Sequence, residues 1–346
     1  MSVLIRQVQN FRGELLRLDE QAQQTLNQTW LALEQRLYRE LIDLLTDIEA
    51  RGIRSPSQLY QLQRFQTLLQ QIDSELLIFN ERAARDLESR QQAQQRAAFL
   101  ASLSWVQRRA RELGIPYNDA VGVTFDRMNP LAVEAMLGIL ADGSPLRQVL
   151  NEVSLTTTAA IASLMVQGVA QGEHPMALAR KLIDLGLATN LQRVQSIMRT
   201  ELLRASREAS LEGYRRSGVV VGYQRMSALS LRSCIGCIVT HGRKYPLSVP
   251  FEEHPNGRCY PVPVLDWTED LDPQLDGQEW FDNLPPADQR RIMPPGALDL
   301  YNAGRVDWGQ LATRRVDPVW GNSIRPTTLG DLLLGHGGLP ADEHNH

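Results

Sequence analysis

Residues 234–259 read CIGCIVTHGRKYPLSVPFEEHPNGRC and hold all three cysteines of a 346-residue chain. Thiols this few and this close together share a task, rather than serving as scattered small apolar side chains. The spacing is Cys-x2-Cys, then sixteen residues to His254, then four more to Cys259, close to the two-knuckle pattern of a tetrahedral zinc site. Each knuckle reads as a turn. Gly236 stands between Cys234 and Cys237 to let the backbone fold round the metal, and Pro255 with Asn256-Gly257 turns the second knuckle. Cys234, Cys237, His254 and Cys259 are therefore the expected ligands, and His241, at Cys-x3-His from Cys237, is the alternative. Free buried thiols and a disulfide are the competing readings. The odd cysteine count and a reducing compartment oppose the disulfide. Four protein ligands would make the zinc structural; an open position for water would make it catalytic.

Outward from this stretch, residues 219–233 (VVVGYQRMSALSLRS) are β-branched and aromatic in partial alternation, which predicts one or two strands leading into Cys234. Residues 260–267 (YPVPVLDW) predict an edge strand, because prolines cannot donate ladder hydrogen bonds. The metal loops then hang from a small sheet. Upstream, residues 190–218 predict a helix capped by Asn190, with Val194, Ile197, Met198, Leu202, Ala205 and Ala209 on its apolar side and Gly218 as its stop. Its arginines, Arg207 among them, alternate with Glu201, Glu208 and Glu212, the pattern of a solvated or partner-facing surface. Glu201 is read as structural. Further short helices are expected at about 130–141, 144–152 and 156–172, after a linker at 113–122.

The N-terminal third is almost free of glycine and proline. Leu15, Leu18, Ala22, Leu26, Trp30, Leu33, Leu37, Leu41, Leu44 and Ile48 step by threes and fours, one stripe of a helix. Ser55-Pro56 ends that helix and starts a second, with the stripe Leu59, Leu62, Phe65, Leu69, Ile72, Leu76, Phe79, Ala83 and Leu87. The two predict a long antiparallel hairpin. Residues 88–98 are polar nearly all round and predict a solvated bridging helix. The fold class is thus mainly α with a small β and zinc-binding module. Its parts are the hairpin (1–115), a helical region (116–218), the β module (219–268), short helices (269–320) and a flexible tail (321–346).

Composition narrows the partners. Net charge is −4 and aromatic residues are 6%, so neither a global pull toward nucleic acid nor a stacking platform for single strands is expected. No run of 18 apolar residues and no secretory layout at the N-terminus point away from a membrane and toward the compartment of synthesis. A zinc deaminase needs H-x-E followed by P-C-x-x-C; Ser233 precedes Cys234 here, and no H-x-E lies upstream.

Several segments together resemble the head morphogenesis, or minor head protein, family of tailed bacteriophages, the phage Mu F-like proteins. They are GVAQGEHPMALARKL (168–182), Arg199-Thr200-Glu201 with Ala205 and Ala209, the pair Cys234 and Cys237, His254-Pro255, Arg258-Cys259, Trp280-Phe281, LPPADQRRIM (284–293) and Tyr301 to Gly304. The likeness covers roughly residues 120–315. Members often have cysteine where Gly257 stands and an acidic residue where Ser230 stands, and the first departure leaves the four ligands above as the simplest set. The resemblance implies a non-enzymatic protein of the virion. It would sit inside the head near the portal vertex after assembly in the host cytoplasm, and would help heads assemble and DNA enter or leave. Its expected partners are the portal protein, with the major capsid or scaffold protein and weakly held packaged DNA as further candidates. The alternative is a metal-dependent nuclease of the His-Asn-His type, built on Glu253-His254-Pro255-Asn256 beside the knuckle, with His254 as general base.

Overall fold

The computed structural model describes residues 3–117, 146–268, 276–317 and 321–339. The chain is mainly helical with a small antiparallel β part, and it divides into two compact units. One comprises residues 1–16, 91–137 and 202–346; the other comprises 17–90 and 138–201. The divisions at 16/17, 90/91 and 201/202 fall inside long helices, whereas glycines and prolines mark the segments expected from sequence.

The described residues of the second unit form helices and the turns between them. Helix α1 runs Val3–Ala50, the short α2 runs Pro56–Gln61 and α3 runs Gln63–Leu113. Ser55 starts α2 as expected: its hydroxyl accepts from Gln58 N, Gln58 reaches back, and Pro56 sits in the first turn. Within this unit the ion pairs Arg36–Glu75 (2.7 Å) and Arg64–Asp47 (3.2 Å) advance along α1 while retreating along α3, so the two helices are antiparallel. The predicted stripes are the buried faces. Leu18, Leu62 and Leu69 are only half-buried, and Leu68 takes the inward position beside Phe65. Trp30 meets Phe79 edge-on at 5.0 Å.

Helix α4, Leu146–Gln171, is continuous where two short helices were expected. Its threonine run does not break it, because Thr156 and Thr157 donate back to the carbonyls of Glu152 (2.7 Å) and Val153 (2.8 Å). By length and composition alone α4 is apolar enough to cross a membrane, with 39% of its most apolar window buried. The segment expected at 130–141 lies outside the described residues, as does the part of the linker beyond Tyr117.

After His174, whose ring caps it, α5 (Pro175–Lys181) passes through a π-helical turn, Leu182–Leu187, straight into α6, Ala188–Ser217. Asn190 therefore does not cap a helix. It is buried within α6, with its amide 3.5 Å from Asn80 Oδ1. Gly218 ends α6 at φ +69°, the left-handed stop that glycine permits.

The first unit carries both sheets. Strands β1 (Gly222–Met226), β2 (Lys244–Pro246) and β3 (Tyr260–Val264) form an antiparallel sheet in the order β2-β1-β3. β3 lies at an edge, where Pro261 and Pro263 face Arg225 and Tyr223 in register without a missing ladder bond. Only part of 219–233 is strand. Beyond Met226 the backbone N–H of Ser227 donates to His241 Nδ1 (2.8 Å) rather than to a neighbouring strand, and the ladder ends there. Tyr223, Tyr260, Val262 and Val264 pack with Val8, Trp105, Leu211 and Tyr214.

Between β1 and β2 lies the one-turn helix α7, Ile235–Val239. Helices α8 (Gly277–Asp282), α9 (Pro286–Ile292) and α10 (Pro295–Asn302) follow, and then β4 (Ala312–Asp317), β5 (Gly321–Pro326) and α11 (Leu329–Leu333). The expected flexible tail is folded as far as Leu339: β5 pairs with β4, and Ile324 and Leu332 enter a core with Ile235, Ile238, Phe281 and Leu311. Residues 88–98 are not a solvated bridge either, for Gln91 and Gln95 are 1% and 0% exposed.

Candidate metal centre

The first knuckle starts α7. Cys234 is its N-cap residue, and its sulfur accepts from Cys237 N at 3.4 Å, so the helix turn itself aims both thiols to one side. Gly236 does not supply a special turn angle. A side chain there would sit 2.8 Å from the Arg325 backbone, so glycine lets β5 lie against the knuckle. The second knuckle is a turn through Pro255 and Asn256, with Asn256 at φ +62° and Gly257 N donating to His254 O (2.9 Å).

His254 joins the first pair. Its Nδ1 lies 2.8 Å from the Pro255 carbonyl, which only accepts, so Nδ1 carries the proton and Nε2 is left for ligation. Nε2 stands 3.3 Å from Cys234 Sγ and 3.2 Å from Cys237 Sγ. Two bonds of about 2.0 and 2.3 Å at a tetrahedral angle would place such atoms about 3.5 Å apart. The three donor atoms thus converge as zinc ligands do. Cys259 lies in a second, overlapping group with Cys237 and Glu253. Among the described residues these are the two groups whose ligand atoms could hold a metal ion, and Cys237 links them. His241 is not brought to either: its Nδ1 accepts from Ser227 N, and the ring is 6% exposed within the fold.

Glu253 is the residue the cysteine spacing did not point to. It is buried, and its Oε1 lies 3.5 Å from both Cys237 Sγ and His254 Nε2. A side chain at Gly257 would meet the Glu253 carboxyl at 2.3 Å, so the glycine makes room for the acid. Its other oxygen pairs with Arg225 at 2.8 Å, both side chains 2% exposed. Arg225 also donates to Glu252 O (2.7 Å), and its guanidinium lies 4.5 Å over the Phe251 ring. From α6, Arg207 donates to the carbonyls of Gly257 (3.2 Å) and Cys259 (3.3 Å) and so pins the second knuckle. Arg207 is 3% exposed, which corrects the reading of this helix as evenly solvated. Neither arginine carried a local signal beyond its place in an apolar or alternating run. Glu201 is fully buried and belongs to the other unit.

The protons in this cluster are shared. A hydrogen bond from Cys237, reinforced by His254, holds the Cys234 thiol down at about 5 against burial. Cys237 is pushed well up, because its proton serves Cys234 and Cys259 in turn. Burial pulls His254 down, but Cys234 and Glu253 outweigh it and raise it to about 9. Burial likewise pushes Glu253 up, and Arg225 overrides it and holds the carboxylate ionised. A metal ion entering this donor set would release those shared protons.

Comparison with known proteins gives no match: no family model, curated protein or solved structure is significantly similar to the chain.

Proposed function

We propose that the centre holds zinc as a structural staple and that the chain is a minor head protein of a tailed bacteriophage. On this reading it binds the portal inside the head and assists head assembly and DNA packaging or ejection, without catalysis. The observation that carries the staple is the convergence of Cys234, Cys237 and His254, with the Nδ1 proton of His254 turned away to Pro255. On this reading Cys259, which Arg207 pins and which groups with Cys237 and Glu253, would close on the ion as the fourth ligand. Zinc would supply cross-linking of two turns in a module whose three-stranded sheet is small. The virion role rests on the ordered segments from Gly168 to Gly304 that resemble the Mu F-like family.

Co-expression with the portal protein of the same genome tests the role. A stable complex on a sizing column, carrying one zinc per chain of this protein, is the expected result. If the chain elutes alone and Cys234→Ser leaves it folded, partner and staple both fail.

The nuclease reading gains from the cleft that opens beside His254, described below. Against it, no second histidine joins His254 in either candidate metal group among the described residues. A plasmid-nicking assay with added zinc or magnesium decides it, and no nicking is expected.

A further inference from the structure

A cleft of about 440 Å³ opens at the metal centre, entirely within the first unit. Cys234, Cys237, His254 and Cys259 line one side of it. The remainder includes three guanidinium side chains, Arg12, Arg232 and Arg258, and three hydroxyls, Ser227, Ser230 and Ser233, with no aspartate or glutamate among the lining residues. The volume suits a group of nucleotide size rather than a lone ion.

Charge decides what such a cleft accepts. A zinc ion held by three thiolates and a neutral imidazole carries one net negative charge, and buried Glu253 adds a second. Arg207 and Arg225, both buried behind the knuckles, offset those two charges. Arg12 and Arg232 of the cleft stand outside that count. Arg12 is one of these: its buried Nε has no hydrogen-bond partner. A planar, five-donor cation with hydroxyls beside it matches the oxygens of a phosphate group better than a single carboxylate.

We propose that this cleft binds a phosphate group, presented either by a small phosphorylated compound or by a nucleic-acid backbone. The charge count rests on the zinc reading above, so zinc content is measured on each preparation. The full chain is titrated calorimetrically at low salt with inorganic phosphate, with dAMP and with a 12-nucleotide DNA strand. Saturable binding of at least one probe is expected, weakening as salt rises. Arg232 is exposed, so Arg232→Ala leaves the fold intact, and it should weaken binding about tenfold, the worth of one charge-assisted hydrogen bond. Arg232→Ala with Arg258→Gln should weaken it further, and Arg54→Ala, in the other unit, should not. Binding of phosphate or dAMP assigns the cleft to a free phosphate compound; binding of the strand alone assigns it to a nucleic-acid backbone. Zinc-loaded protein that binds none of the three, or binding that Arg232→Ala leaves unchanged, overturns the proposal while the staple stands. Binding by zinc-free protein that still depends on Arg232 upholds the cleft and removes the staple.

Discussion

At the scale of single residues, a buried ion pair stands directly behind the candidate ligands, Glu253 Oε2 lying 2.8 Å from Arg225. Glu253→Gln would leave the Arg225 charge buried without its partner, and breaking such a pair typically costs about 3–5 kcal/mol. Urea unfolding of the variant should show that loss. Replacing both partners together, as Arg225→Met with Glu253→Leu, should recover much of it, and equal losses in the single and double variants would mean that the pair is not the cause. His241 sets a second expectation. Burial first, then the charge of Arg12, holds it down at about 4, with Asp276 opposing. Between that value and an unfolded value of about 6.5 the folded chain binds fewer protons than the unfolded chain, so stability rises with pH through this window. The contribution is complete above pH 6.5 and lost as pH falls to 4, about 3 kcal/mol in all. A protonated ring would also turn a proton toward Ser227 N–H, from which the neutral ring accepts. Stability measured from pH 4 to 6.5 should fall less steeply in His241→Asn; an unchanged slope would show that another group titrates there.

Whole elements show what the sequence could and could not disclose. The long helices and the start at Ser55 were legible because both depend on local spacing: a stripe at 3.6 residues and a serine directly before a first-turn proline. The edge placement of β3 was legible for the same reason, through its prolines. Four things were not local. Asn190 has the composition of a cap, but a π-helical turn carries the chain through Gly186, where a side chain would lie 2.7 Å from Ile161. The glutamines of 88–98 read as solvated, although Gln91 and Gln95 are buried. The glycine- and proline-rich end read as tail, although β5 is held by its register with β4. Of the site, the cysteines and His254 were named from spacing, whereas Glu253, Arg207 and Arg225 belong to it through tertiary contacts alone. Gly236 tests this distinction. Read as a turn residue, it should tolerate alanine, since its φ is not in the left-handed region. Read as the place where β5 meets α7, Gly236→Ala must displace backbone that now lies 2.8 Å away. Overpacking of this kind costs about 1–3 kcal/mol, so the melting temperature should fall by several degrees. A variant that melts like the parent would return Gly236 to the role of a simple turn.

For the molecule as a whole, the two units differ in what stabilises them, and metal removal should separate them. Residues 17–90 and 146–201 bury long apolar stripes along helices, among them Trp30, Leu37, Leu41, Phe65, Ile72 and Leu76, and contain none of the candidate ligands. The unit that holds the sheets brings buried arginine and glutamate charges to the knuckles, and on the proposed zinc reading the thiolates and their ion balance them. Stripping an ion from the centre with a strong chelator would return protons to Cys237 and His254 and remove the cross-link between the two knuckles. Structure should then loosen first in the two knuckles, in β1, whose Arg225 bonds Glu252 and Glu253, and in β3, which starts directly after Cys259. Hydrogen exchange followed by mass spectrometry reads this directly. After chelation, peptides covering Gly222–Met226 and Ile235–Val264 should exchange at least tenfold faster, while peptides from Leu33–Ile48 and Phe65–Leu87 keep their protection. Re-addition of zinc should restore the first set. Uniform loss of protection across both sets would mean that the ion stabilises the entire chain, and no change in either would mean that Cys234, Cys237, His254 and Cys259 pack as ordinary buried side chains without a metal.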